Sequence, residues 1–376
     1  MRSGADDCSI ELVRLGDLNV RSDEVAELRR LVRAVLGEDV EGRSGAAILP
    51  SSAVLAHLVA ELRATALHRN AGLVAGLPRT HHALAAVVWP LHGSRRRLLR
   101  LPVVVLDTVY DGDWGSYAHE LGKALRQSRK RCASVHPAYH YSAFPGVGVA
   151  DIQAALSVAE QLGHFMRSAA EMPASSFAPA FREFARQTLP LLEDRPALAA
   201  PAVRVTRHGL KSGWAVLTRI NPGREAVLRR ELSVLPTGDA SPFARLPDTH
   251  AATFSEIASE SRAAAEDGPA SYLLFTMYGD AAPTAQLERL VEDVPEIWSI
   301  WRHCADSPEH EKHLLPYLEA HRLRRATTFS AYGGASVLEI RDALARRERL
   351  LSLLISEARH RREGDPLLRE RALQSL

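Results

Sequence analysis

Two Thr-His pairs are the first residues in this chain whose types and spacing suggest chemistry. Leu77-Pro78-Arg79-Thr80-His81 is matched by Leu246-Pro247-Asp248-Thr249-His250. Imidazole changes charge near neutral pH and serves as acid, base or metal ligand, so His81 and His250 are candidate catalytic residues. A Thr-His pair at a strand start also bonds exposed backbone groups, and a duplication would copy that structural role just as faithfully.

The densest group of titratable and aromatic side chains is His136-Pro137-Ala138-Tyr139-His140-Tyr141. On a strand, Tyr139 and Tyr141 share one face and His140 takes the other. Tyr139 and His140 are therefore candidates to line a catalytic pocket, against the ordinary reading of such aromatics as core. Tyr110 and Tyr278 close two matching hydrophobic runs and could donate hydrogen bonds to a ligand. His303, beside Cys304 at the end of a helical stretch, is either a cofactor ligand or a histidine favoured there by the helix dipole. These three are the candidate cofactor-binding residues.

No metal centre is expected. The three cysteines, Cys8, Cys132 and Cys304, are too dispersed for a metal site or a disulfide framework. His310-Glu311-Lys312-His313 is one residue short of the HExxH spacing, and Asp111 and Asp113 begin a calcium-like loop whose remaining ligands are missing, so they are expected to form a turn and a helix N-cap.

The elements that must position these residues emerge from an internal repeat. Besides the Thr-His anchors, Val105 to Tyr110 matches Leu273 to Tyr278, Cys132-Ala133 matches Cys304-Ala305, and Tyr141 to Ile152 matches Phe329 to Ile340. The order is the same in both copies. In the second copy, strands are expected at Gly213 to Ile220, His250 to Ile257, Ala270 to Tyr278 and Ala326 to Tyr332. A helix opened by Asn221-Pro222-Gly223 places Val227, Leu228 and Leu232 on one face, and another runs from about Thr284 to His303, with a break at Pro295.

The first copy repeats this order, with strands near Ala46 to Leu49, His81 to Trp89, Leu101 to Tyr110 and Ala138 to Ala143. Ser9 to Arg14 competes for the role of first strand. The fold class expected is α+β: two tandem ferredoxin-like βαββαβ units forming an intramolecular α/β barrel with added helices. The expected boundaries are an N-terminal extension over 1–45, a first unit over 46–171, a helical linker over 172–212, a second unit over 213–362 and a tail over 363–376. Ser336-Val337-Leu338-Glu339 forms a capping box for the last helix, whose Leu350, Leu351, Leu353, Leu354 and Ile355 need burial somewhere and, in a binding or scaffold protein, would dock a partner or a second protomer.

Across 376 residues the composition is that of an ordinary globular protein, 46% hydrophobic and 24% charged, with a net charge of +2. Positive charge is scattered, so no nucleic-acid footprint is expected. The N-terminus lacks an apolar segment and no apolar run reaches spanning length, which leads to the expectation of a cytoplasmic protein without a membrane partner.

At its anchors the chain resembles a largely uncharacterised group of bacterial proteins with T/I-H-F-A-R, F-x-S/T-N-Y/F-D-G, H-C-E-G-Y-P and F-Y-x-G-x-x-G-x-S patterns. Here these read Thr249-His250-Ala251-Ala252, Phe275-Thr276-Met277-Tyr278-Gly279-Asp280, His303 to Pro308 and Phe329 to Gly334. The likeness covers the second copy well and the first in part. Phe and Arg of the first pattern are absent, and Met277 replaces the Asn of the second. At fold level the chain resembles the dimeric α/β-barrel superfamily, which includes haem enzymes of the peroxidase and chlorite dismutase type and cofactor-free monooxygenases. That resemblance implies a small-molecule oxidative enzyme, haem-dependent or cofactor-free, with a small molecule as its partner. The alternative is a non-catalytic small-molecule-binding or scaffold protein in which the duplicated fold mediates partner binding, with a homo-oligomer formed through the C-terminal helix.

Overall fold

A computed structural model describes residues 8–13, 77–88, 103–112, 116–117, 120, 132–135, 137–193, 212–258, 271–323, 326–332 and 334–360. It is an α+β structure with two antiparallel sheets, and the chain divides into two compact units, Met1–Gly146 with Ala202–Gly334, and Val147–Pro201 with Ala335–Leu376. The strands of the first unit are β1 (Cys8–Val13), β2 (Thr80–Val88), β3 (Val103–Tyr110), β4 (Cys132–Val135), β5 (Pro137–Ser142), β6 (Ser212–Arg219), β7 (Thr249–Ala258), β8 (Ser271–Gly279) and β9 (Ala326–Ser330).

Five strands lie in the order β4-β1-β3-β2-β9 and four in the order β5-β7-β8-β6. Strand β1 pairs with both β3 and β4. Residues 8–13 therefore belong to the sheet rather than to a separate extension, and Ala46 to Leu49 lies outside the described residues. The last strand of each copy is exchanged. Strand β5, from the first copy, pairs with β7, while β9, from the second, pairs with β2. Strand β4, which no hydrophobic run announces, takes the place beside β1 that was expected for β5.

Strand β8, Ser-Tyr-Leu-Leu-Phe-Thr-Met-Tyr-Gly, is buried along almost its whole length. A strand covered on both faces carries a continuous apolar run. One face of the four-stranded sheet, with Trp214, Val216, Phe254, Phe275 and Met277, packs under helices α3 (Glu225–Val234), α4 (Pro283–Asp293), α5 (Ile297–Trp301) and α6 (Leu314–His321). Pro295 falls in the break between α4 and α5, as its missing N–H requires. In α3, Leu228 and Leu232 are buried, whereas Val227 is 39% exposed and does not share their face. The other face of this sheet meets the five-stranded sheet through Leu84, Ala86, Val109, Ala215, Ala251, Ile257, Tyr272, Leu274 and Tyr278.

The second unit consists of α1 (Val149–Ala170), α2 (Ala174–Glu193) and α7 (Val337–His360). The capping box forms: Ser336 Oγ accepts the Glu339 N–H at 3.1 Å, and Glu339 Oε2 accepts the Ser336 N–H at 2.5 Å. Leu350 and Leu353 of α7 pack with Val158 and Leu162 of α1 and with Phe177, Phe181 and Phe184 of α2. The apolar face of the C-terminal helix is thus covered within its own unit, so its burial requires no second protomer. Among the described residues no helix is long and apolar enough to cross a membrane.

Candidate functional site

His81 and His250 are each the extra residue of a β-bulge, because pairing with β3 slips between Thr80 and His82, and pairing with β8 slips between Thr249 and Ala251. A bulge twists the strand and re-aims the side chain at that point. Each ring meets a carboxylate 30 residues further on: His81 Nε2 lies 2.5 Å from Asp111 Oδ1, and His250 Nε2 lies 2.8 Å from Asp280 Oδ1. The carboxylates are themselves fixed, since the Asp111 N–H donates to Arg79 O at 2.8 Å and the Asp280 N–H to Asp248 O at 2.9 Å. Asp111 is therefore a partner of His81 at the turn that follows β3, and Asp113 lies outside the described residues.

The exchanged strands complete the frame. The Ala331 N–H donates to the His81 carbonyl at 2.9 Å, and the Ala143 N–H to the His250 carbonyl at 2.8 Å. The next residue in each case lies beside the ring. The Tyr332 hydroxyl bonds His81 Nδ1, and the Phe144 ring centre lies 6.2 Å from that of His250.

Sequence reasoning passed over His82. Its ring stacks on Tyr278 at 5.0 Å, lies 5.1 Å from the ring of His250 and meets Tyr332 edge-on at 5.4 Å. The Tyr278 hydroxyl in turn donates to Asp107 Oδ2 at 2.7 Å, across to the five-stranded sheet. Thr276 also bonds the Asp107 carboxyl, and its hydroxyl bonds that of Thr253. Burial pushes the Asp107 carboxyl up to about 6, and the Tyr278 and Thr276 hydrogen bonds restrain the rise.

His140 pairs with Thr253 across β5 and β7 and faces away from Tyr139 and Tyr141, which pack under the helices, as strand alternation predicts. Both its ring nitrogens are buried, and burial, reinforced by the charge of His81, lowers its titration to about 4.

The remaining candidates lie elsewhere. Tyr139 belongs to the helix-covered core, where its hydroxyl donates to Pro236 O at 2.8 Å and bonds Ser241 Oγ at 2.6 Å. It does not share a site with His140. Tyr110 stacks on Tyr117 with ring centres 4.0 Å apart. It stands opposite Thr80, whereas Tyr278 stands opposite Ala251, so the structural equivalent of Tyr278 is Val109. A one-residue slip moves a side chain to the other face of a sheet, which is why Tyr110 and Tyr278 do not play matching parts. His303 lies 3.1 Å from Glu231 Oε1, which also accepts from Arg302 at 2.7 Å. It is held on the helix-covered side, and Cys304 next to it accepts a hydrogen bond from Thr218 in the core.

The site thus gathers His81, His250, His140 and Tyr278 from the residues singled out in the sequence, and adds His82, Asp107, Asp111, Asp280 and Tyr332. One signal for the carboxylates was present, because Asp111 and Asp280 stand at the same offset from each other as the two Thr-His pairs. Among the described residues, no group of three or more His, Cys, Asp or Glu is arranged to hold a metal ion. Chemically the arrangement offers imidazoles oriented by carboxylates, the geometry of a general acid or base. No family model matches this chain, and neither a curated protein nor a solved structure matches it.

Proposed function

We propose that the chain is a pair of ferredoxin-like βαββαβ units closing into an intramolecular α/β barrel, and that it is a cofactor-independent enzyme oxidising small molecules. The order β4-β1-β3-β2, antiparallel throughout with the third strand between the first and second, supports a ferredoxin-like unit, and β6-β8-β7 repeats it. The reciprocal exchange of β5 and β9 supports closure of one unit on the other.

The observation that carries the function is the pairing of His250 with Asp280 beside His82. A carboxylate on one ring nitrogen fixes the orientation of an imidazole and favours its proton-accepting role. His250 then takes a proton from a bound phenol or 1,3-dicarbonyl compound, and the anion so formed is oxidised by dioxygen, one oxygen atom entering the product (a quinone, or a vicinal tricarbonyl compound) and the other leaving as water, to which His250 returns its proton. His81, engaged by Asp111 and Tyr332 at its two nitrogens, serves as the fixed side of the site.

Haem finds limited support in these residues. His81 is bonded at both ring nitrogens and His303 lies 3.1 Å from Glu231, whereas an imidazole held by a carboxylate at one nitrogen, as His250 is, suits a ligand as well as a base. The test is oxygen consumption by the purified chain with phenols and 1,3-dicarbonyl compounds, in wild type and His250→Ala. Uptake that falls by about 10²-fold or more in the variant is expected. Undiminished uptake in His250→Ala overturns the assignment, and a Soret band on adding haemin that shifts in the same variant would restore the haem version.

The second reading, a non-catalytic small-molecule-binding protein, is favoured by the filling of the inter-sheet space with Leu84, Val109, Leu274 and Tyr278. Absence of oxygen uptake with all such compounds would leave that reading standing.

A further inference from the structure

The duplicated frame raises the question of whether the chain holds two equivalent sites or one. Strand register gives the equivalences: His82 corresponds to Ala251, Leu84 to Thr253, Asp107 to Thr276, Val109 to Tyr278 and His140 to Thr328. The His–Asp pairs recur in both copies. Of the titratable groups between the sheets, His82, Asp107, His140 and Tyr278 each stand opposite a residue that cannot titrate.

Asp107 is the most costly of these to bury. It is fully buried in a layer whose apolar part includes Leu84, Ala86, Val109 and Leu274, and its Oδ1 has no hydrogen-bond partner among the described residues. Burying a carboxyl with one oxygen unmet is unfavourable by several kcal/mol if charged and still unfavourable if neutral. The fold does not require it, because the same place in the other copy is filled by Thr276. Its bond to Tyr278 is the only one of its kind that the pairing of the copies allows, since the mirror-image positions hold Thr276 and Val109.

We propose that Asp107 is a positioning residue which, through Tyr278, sets His82 against His250 and makes the site single and asymmetric. This deepens the enzymatic reading and rests on it for its effect on turnover, but not for the coupling itself. The titratable groups that bear on Asp107 are Tyr278 directly, then His82 stacked on Tyr278, then His250; Thr276 and Thr253 lead toward His140.

The coupling is tested by carbon NMR titration of the Asp107 carboxyl in wild type and Tyr278→Phe. Loss of the hydroxyl is expected to raise the midpoint by at least half a pH unit, and an unchanged midpoint overturns the proposal. The effect on turnover is tested by oxygen uptake in Asp107→Thr, which installs the residue the other copy already accommodates, with Ala86→Ser, its counterpart at Ser255, as the packing control. At least tenfold loss in Asp107→Thr, and less than threefold in Ala86→Ser, is expected. Asp107→Thr folded and within threefold of wild type overturns the proposal. If the wild type consumes no oxygen, the enzymatic reading fails while the carboxyl titration still decides the coupling.

Discussion

Asp107 of β3 and His140 of β5 face the space between the sheets from opposite sides, and burial favours the uncharged form of both. Their titrations move in opposite directions, to about 6 for the acid and about 4 for the base. The linkage to stability follows in sign. Asp107, raised from 3.8, contributes fully below that pH and loses its contribution as pH rises through about 6. His140, lowered from 6.5, contributes fully above that pH and loses it as pH falls through about 4. Each effect is on the order of 3 kcal/mol, because every tenfold change in proton affinity on folding is worth about 1.36 kcal/mol. Between these limits they oppose each other. Asp107→Asn should therefore lose stability more steeply than wild type on acidification, and His140→Thr should gain relative to wild type. Urea unfolding at several pH values between 4 and 7 reads both, and parallel curves for all three proteins would sink the idea.

Gly213 lies directly beneath Tyr278. A Cβ there would meet Thr328 Cγ2 at 2.8 Å and Tyr278 Cδ1 at 2.9 Å. Gly213→Ala should displace the tyrosine ring and cost about 1–3 kcal/mol through overpacking. Denaturant unfolding measures the loss, and a stability equal to wild type would show that the ring has room to move.

In the helical unit, Leu350 is fully buried among Val158, Leu162 and the phenylalanines of α2. Leu350→Ala should cost about 2–5 kcal/mol, and Ser336→Ala about 1 kcal/mol through loss of the cap. Thermal unfolding followed by circular dichroism should rank Leu350→Ala well below Ser336→Ala. The reverse order would contradict the packing described.

Asp280→Asn keeps the shape of the partner of His250 but removes its charge. Under the proposed function, oxygen uptake should fall by about 10²-fold with little change in the unfolding midpoint, because Asp280 is only partly buried. A variant that unfolds early while retaining full turnover per folded molecule would assign Asp280 a structural role.

Much of the fold was legible because its signals are local. Strands β6, β7 and β8 announce themselves by β-branched and aromatic runs, Pro295 marks the break between two helices, and Ser336 with Glu339 marks a helix start. Tyr139, His140 and Tyr141 alternate as strand geometry dictates. The exchange of β5 and β9 was not legible, because nothing in a strand's own residues says which edge it will join. The pairing of Tyr110 with Tyr278 failed for a related reason: both end an apolar run, but bulges at His81 and His250 fix the register one residue away from the apparent match. His82 escaped notice because its counterpart is alanine, so a search for repetition passes over it.

The exchange also dictates when the molecule can be finished. Ala86 in β2 finds its partner in Ala326, which emerges from the ribosome 240 residues later. Until then β2 presents an open row of backbone donors and acceptors, the kind of edge that recruits foreign strands. During synthesis the five-stranded sheet is therefore completed only after the strands of the four-stranded one have been made.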